Sequence, residues 1–386
     1  MFKLHWLAAS LLGSALCAQQ ALAQVNGGGS TLPETIYQTP GVVPAGFAPY
    51  IGSDLGDKEA FLHNDYNRLV LGGTEQKVHW VATESKLTPV ELTYYAAAHA
   101  PNWGPMIQVA AAATTVAIRF NKPGGSNLNL SVNEVCGIFS GQLNQWQYLA
   151  SSGGRSGPIT LVYPAGLSAT SELFTRFLNA KCATPYGPFA VTRNFAGSHA
   201  LGVPTSALAG TSSAQIVDLV NATDGSIAFI GPAHAASSLA GLEDGSKVAR
   251  VSGIAPTPAN IVNAISTVPA PISGSAPSRW LPVFAAVASP TDPSVVPYPE
   301  TGYPILGFTS VILSQCYADV TQTTQIRAFL ARHYGAVVNN DAVILSNRLL
   351  PLPVAWKTAV RNTFVNPANL QSIGQVSICN GIGRPW

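Results

Sequence analysis

The chain has 386 residues, with 20 Lys and Arg against 18 Asp and Glu and a formal net charge of +2. Only 10% of its residues are charged, where about 25% is usual, so it lacks the broad basic field that nucleic acid or an anionic lipid surface requires. The length suffices for two domains and a large core, and 35 Gly and 29 Pro point to a loop-rich protein in which a few placed groups must recognise any anion.

Residues 1–23 read as a secretory signal peptide. Lys3 gives the positive start, Leu4 to Leu16 is mostly apolar, and Ala21-Leu22-Ala23 is a small-x-small site with cleavage expected after Ala23. Leu16 before Cys17 argues against lipid attachment, so an exported, periplasmic or secreted protein is expected. No later segment is long and apolar enough to span a membrane. Next, Gly27-Gly28-Gly29 leads into the hydroxyls of Ser30 and Thr31, then Leu32, Pro33 and Glu34. That pattern predicts a helix over Leu32–Tyr37. Its N–H groups, approached past glycines, would suit an anion, and an ordinary capped helix is the competing reading.

Further helices are predicted over Thr88–Ala98, Ser131–Phe139, Ser171–Leu178, Ala214–Asn221, Thr321–Tyr334 and Pro353–Thr363, with Thr321 as the cap of its helix. Short β-rich runs lie between them at Val78–Ala82, Thr115–Phe120, Ile159–Tyr163, Ser226–Ile230, Val248–Val251 and Ile305–Leu313. The alternation predicts α/β layers around a mixed sheet. Residues 252–304, rich in Pro, Gly and Ser, are expected to wrap the surface or form an extended insertion.

Without the signal, Cys136, Cys182, Cys316 and Cys379 remain, an even count that favours two disulfides with three possible pairings. A metal site is the weaker alternative, because no Cys-x-x-Cys or His-x-x-x-His occurs. His63, His79, His99, His199, His234 and His333 show no ligand spacing, and no nucleophile elbow or Walker loop is present. Ser168, Thr170 and Ser171 are possible nucleophiles with no assignable base, and capping the helix at Glu172 is the stronger reading of them.

Longer words carry more information. Val25-Asn-Gly-Gly-Gly-Ser-Thr-Leu-Pro33, Ala45-Gly-Phe-Ala-Pro-Tyr-Ile-Gly52, Val135-Cys-Gly-Ile-Phe-Ser-Gly141, Glu172 to Cys182, Gly302 to Thr309 and Cys379-Asn-Gly-Ile-Gly-Arg-Pro385 occur in this order. Together they closely resemble the DING protein family, whose members are similar to bacterial phosphate-binding proteins. The resemblance covers nearly the whole mature chain. It implies an α/β, two-lobed, periplasmic binding protein-like (type II) fold with a ligand cleft between lobes. Lobe 1 would combine 24–115 with 303–386, and lobe 2 would span 116–302. It also favours the pairings Cys136–Cys182 and Cys316–Cys379.

The resemblance places Thr31 and Leu32 at the first ligand anchor, Ser168, Ala169 and Thr170 at the second, and Glu84 where the family has an aspartate. Ala169 replaces a family glycine. Pro164 stands where the family's ligand-pairing arginine belongs, and proline supplies neither charge nor N–H. The segment 52–57 carries two acids, Asp54 and Asp57, which oppose anion binding unless paired. Three outcomes are open: weakened phosphate binding, compensation by Arg119 or Arg193, or a different ligand such as an organic phosphate ester or an uncharged molecule. The functional expectation is an exported phosphate- or oxyanion-binding protein without cofactor or metal. Its partner would be phosphate or a phosphate-containing small molecule, with a transporter or an extracellular protein as a further partner. A secreted low-molecular-weight alkaline phosphatase of the DING type and a secreted recognition or adhesion protein are the alternatives.

Overall fold

The computed structural model describes residues 24–53, 56–72 and 76–385. The signal peptide, its cleavage point and Asp54 lie outside the described residues. Two six-stranded mixed sheets organise the rest. The first contains β1 (Gly27–Gly29), β2 (Ile51–Gly52), β3 (Trp80–Thr83) and β4 (Met106–Thr115). The second contains β5 (Ala117–Asn121), β6 (Asn129–Leu130), β7 (Thr160–Pro164), β8 (Leu208–Gly210), β9 (Ser226–Ile230) and β10 (Val248–Val251). A two-stranded pair, β11 (Val283–Ala285) and β12 (Val295–Pro297), follows, and β13 (Leu306–Ser314) and β14 (Leu350–Pro351) return to the first sheet. The first sheet runs β14-β4-β13-β3-β1-β2 and the second β6-β10-β5-β9-β7-β8.

The two sheets repeat one motif. β3, β1 and β2 are parallel neighbours in the first, and β9, β7 and β8 are parallel neighbours in the second. In each sheet an antiparallel strand follows, β13 beside β3 and β5 beside β9. The fully buried β4 and β13 pair along nine positions, which suits a strand covered on both faces.

The triglycine is a buried strand. A Cβ on Gly28 would lie 2.3 Å from the Ile51 carbonyl oxygen, and one on Gly29 would lie 2.2 Å from that of Ala82. The close approach of flanking backbone therefore demands glycine, and Gly29 also has φ +124°. The helix after it is a single turn, Glu34–Tyr37, with Pro33 at its N-cap and no side-chain cap. The Ser30 hydroxyl instead accepts from the Leu32 N–H at 3.2 Å.

Capping fixes the larger helices as their sequences predict. Thr88 and Ser131 close capping boxes with Glu91 and Glu134. Asp319, not Thr321, caps the helix Val320–His333, because its carboxylate accepts from both Thr321 and Gln322 N–H groups. Both disulfides form with the favoured pairing, Cys136–Cys182 and Cys316–Cys379. They close separations of 46 and 63 residues. Each contributes roughly 4 kcal/mol in the loop-entropy account.

The segment from 252 to 302, which the resemblance assigned to lobe 2, has extensive contacts with the first sheet. β10 runs antiparallel to β5, which returns the chain to the level of Val116 by Val251. From there the chain packs mainly on the first sheet: the Thr115 hydroxyl donates to the Pro256 carbonyl at 2.9 Å, Trp280 meets Phe364 at 4.6 Å and Phe284 stacks on Phe308 at 6.0 Å. Burial of Ile265, Trp280 and Phe284 makes this segment part of the core rather than a surface wrap.

Candidate functional site

In an α/β sheet, ligand groups collect beyond the carboxyl ends of parallel strands. Here both sheets aim those ends at the same line. From the first sheet come Thr31 and Leu32 after β1, Ser53 and Asp57 after β2, and Glu84 after β3. From the second come Ser168 after β7, Ser213 after β8 and His234 after β9. Thr31, Leu32, Glu84, Ser168, Ala169 and Thr170 are all buried, so every residue the resemblance nominated lies in the interior.

The halves touch along this line. Thr31 and Ser213 share a hydroxyl–hydroxyl bond of 2.8 Å, and the His234 imidazole donates from Nε2 to the Thr31 carbonyl at 3.0 Å. Glu84 accepts from the Ser30 hydroxyl at 2.5 Å, and the Tyr50 hydroxyl donates to the Ser30 carbonyl at 2.8 Å. Glu84 thus braces the first anchor from the neighbouring strand. Burial first, and then charges including that of Glu84, hold the Tyr37 and Tyr50 hydroxyls firmly protonated.

Ser168 caps the helix Ala169–Lys181, its hydroxyl accepting from Ser171 N–H at 3.3 Å. Ala169 and Thr170 therefore occupy the first helical positions, whose N–H groups have no partner within the helix. The Ser168 N–H donates to the Arg193 carbonyl at 3.0 Å, which seats Arg193 directly against the second anchor. Its guanidinium then crosses to the first half. It donates to Asp57 at 2.5 Å and to Glu59 at 2.7 Å, and it reaches the Leu167 carbonyl at 3.5 Å. Among the described residues, the buried Arg193 Nε and Ser171 hydroxyl have no hydrogen-bond partner.

Burial sets the charges here. It lifts the Asp57 carboxyl above its ordinary range in spite of Arg193. Burial also pushes Glu59 upward, but the Arg193 charge prevails and holds that carboxyl low. Arg193 itself is kept protonated, because Asp57 and Glu59 outweigh its desolvation.

Pro164 ends β7 opposite Gly210 and supplies no charge. Arg119 does not replace it. That guanidinium donates to the Ala235 carbonyl at 2.5 Å and to Asn221 at 2.8 Å, and Asn221 lies at the far end of the helix Ser213–Ala222 from the cleft. Of the two cations suggested by sequence, only Arg193 reaches the site. Ser213, His234, Asp57 and Glu59 were not nominated as site residues. Only Asp57 had a sequence signal, as an acid in the shortened 52–57 segment. The others depend on topology. Among the described residues, no group of three or more His, Cys, Asp or Glu could hold a metal ion, and no helix is long and apolar enough to cross a membrane.

A family model for the PBP superfamily domain matches residues 60–331. Alkaline phosphatase L of Pseudomonas aeruginosa is 51% identical over 392 aligned positions, spanning all of both chains. A phosphate-binding protein from an unknown prokaryotic organism is 50% identical over 379, covering 94% of this chain and all of its own. The solved structure of PfluDING, a high affinity periplasmic phosphate-binding protein bound with phosphate, matches with a TM-score of 0.90 at 50% identity, covering 94% of this chain and 99% of its own. This chain is a DING protein of the PBP superfamily. The two-lobed fold is therefore shared, and in this DING protein the Arg193 guanidinium crosses from the second half to Asp57 and Glu59 of the first.

Proposed function

We propose that this DING protein is an exported phosphate- or oxyanion-binding protein whose cleft uses Arg193 where Pro164 has removed the family's arginine. The observation that carries the reading is the Ser168–Arg193 backbone bond, which seats a guanidinium with a buried Nε–H at the second anchor. Thr31, Leu32, Ser168, Ala169 and Thr170 supply the remaining donors. Glu84 accepts the proton of a protonated phosphate and repels fully ionised anions. Asp57 and Glu59 compete with the ligand for Arg193, so affinity is weaker than with a free arginine. One charged hydrogen bond is worth about 1.5–3 kcal/mol, or on the order of tenfold to a hundredfold in affinity. The lobes divide between Thr115 and Val116 and again near Ser252–Pro256, and closure is a hinge motion about these crossings. Delivery of ligand to a membrane transporter is the role that fits an exported carrier.

Calorimetry with inorganic phosphate on the mature protein tests this. Binding that is weakened by Arg193→Gln supports it, and an absence of heat at millimolar phosphate rejects it. The identity to an alkaline phosphatase L favours phosphomonoester hydrolysis as the second reading. Metal-dependent turnover of an aryl phosphate with no phosphate binding would select it. Failure of both assays would leave recognition by an extracellular partner.

A further inference from the structure

A second cationic site lies on the second half, away from the cleft. A cavity of about 400 Å³ opens between the end of β5, the loop after it and the turn before β10. Arg119, Lys122, Arg155 and Lys247 line it together with Asn121 and Asn221. Four of the chain's 20 lysines and arginines thus share one depression in a protein with very few charges.

Their partners are mostly neutral. Arg119 bonds only the Ala235 carbonyl and the Asn221 side-chain oxygen, and its buried Nε has no partner among the described residues. Arg155 is 3% exposed and donates to the carbonyls of Lys122, Ser126 and Ser152 at 2.8, 2.8 and 2.9 Å. It lies 5.2 Å from the centre of the Phe120 ring. Neither guanidinium has a carboxylate partner among the described residues. Burial pushes both below the ordinary arginine range, as it does for a cation desolvated without a counterion. Lys247 is exposed and has no hydrogen-bonded or ion-paired acid among the described residues. The nearby acids sit at the rim. Asp224 is 70% exposed and pairs with Lys122 at 2.6 Å, and Asp244 is occupied by the Ser246 N–H and hydroxyl.

Arg155 therefore underlies the cavity as a fixed positive charge, while Arg119, Lys122 and Lys247 reach its wall. We propose that this cavity binds a small multivalent oxyanion of the pyrophosphate or phosphate-ester class, independently of the cleft. The volume falls within the range of small-molecule sites. Several cations spread around one cavity match charges distributed over several groups better than a single phosphate ion.

The test titrates inorganic pyrophosphate into the mature protein in the presence of saturating inorganic phosphate, by calorimetry. One pyrophosphate per chain is expected, with affinity falling as salt rises. Lys122→Glu combined with Lys247→Glu changes one half-buried and one exposed lysine, and retained folding is checked by thermal melting. This pair should lower pyrophosphate affinity by at least about tenfold and leave the phosphate isotherm unchanged. If the pair fails to fold, Lys247→Glu alone, at an exposed position, serves with the same expectation at about threefold. Absence of pyrophosphate binding overturns the proposal. So does binding that is indifferent to the charge reversals, since it would then occur in the cleft or nowhere in particular. Because Lys122 and Lys247 lie outside the cleft, their effect on pyrophosphate binding separates this cavity from the cleft whether or not the cleft binds phosphate.

Discussion

Arg193 and Asp57 are 136 residues apart in sequence and 2.5 Å apart in space, and their bond ties the two sheet-bearing halves together. Both side chains are buried, so each charge depends on the other. Removing one partner of such a pair strands the other and costs about 3–5 kcal/mol. Arg193→Gln should therefore lower stability by that order in chemical denaturation. Adding Asp57→Asn should recover much of the loss, because no buried charge is left unpaired. Phosphate affinity should stay reduced in the double variant if Arg193 also serves the ligand. Full recovery of affinity would mean that the residue acts only as a latch.

Acid should erode stability between pH 6.5 and 4. His79 Nδ1 accepts from the Asn26 N–H at 2.9 Å, and His333 meets the Ala111 carbonyl through Nε2 at 3.0 Å and the Asn340 amide through Nδ1 at 3.3 Å. Neither ring can take a second proton without losing an accepted bond. Burial, as the largest cause, lowers His79 to about 3 and His333 to about 4. Unfolded histidines protonate near 6.5, so the unfolded chain binds the extra protons in this window, at about 1.4 kcal/mol per pH unit for each ring. Asp57, raised by burial, offsets part of the loss just above its ordinary value of 3.8. Denaturant titrations at pH 7, 6 and 5 should show the decline, and His333→Gln should flatten it. Equal slopes in the two proteins would remove His333 from the account.

Gly28→Ala should disrupt the first sheet, because its Cβ would meet the Ile51 carbonyl at 2.3 Å. The loss should be on the order of 3 kcal/mol, at the upper end for overpacking. Gly253→Ala is the control for handling an added methyl, since a Cβ there meets nothing within 4 Å, although its φ of +82° carries a smaller backbone cost. Similar melting temperatures for the two variants would contradict the close-approach argument.

Ser168→Ala should cost about 1 kcal/mol as the loss of an N-cap. It should also weaken phosphate binding, whereas Ser131→Ala, at another capped helix, should lower stability alone. Calorimetry on both separates capping from ligation.

Much of the architecture was legible because helices with strong caps, such as those begun by Thr88 and Ser131, carry their own boundaries in sequence. The triglycine strand was not among the predicted β-rich runs, since glycine is disfavoured in strands unless neighbouring backbone comes too close for a Cβ, and that neighbour is set by tertiary structure. The 252–304 segment misled for a related reason. Its Pro and Gly content signals irregular backbone, but irregular backbone can still bury Trp280 and Phe284. At the candidate site, the resemblance named residues that all prove buried, Thr31 and Leu32 after β1 and Ser168, Ala169 and Thr170 after β7. It could not choose between Arg119 and Arg193, because that depends on which strand end each side chain faces.

The position of β13 has a consequence for how the protein is made. It lies between β3 and β4, so two strands within the first 115 residues are joined only by residues 306–314. The amino-terminal portion cannot seal its own sheet while the ribosome is still at work on the middle of the chain. Such long-range pairing delays folding, so the first sheet can close only after the last quarter of the chain has been synthesised.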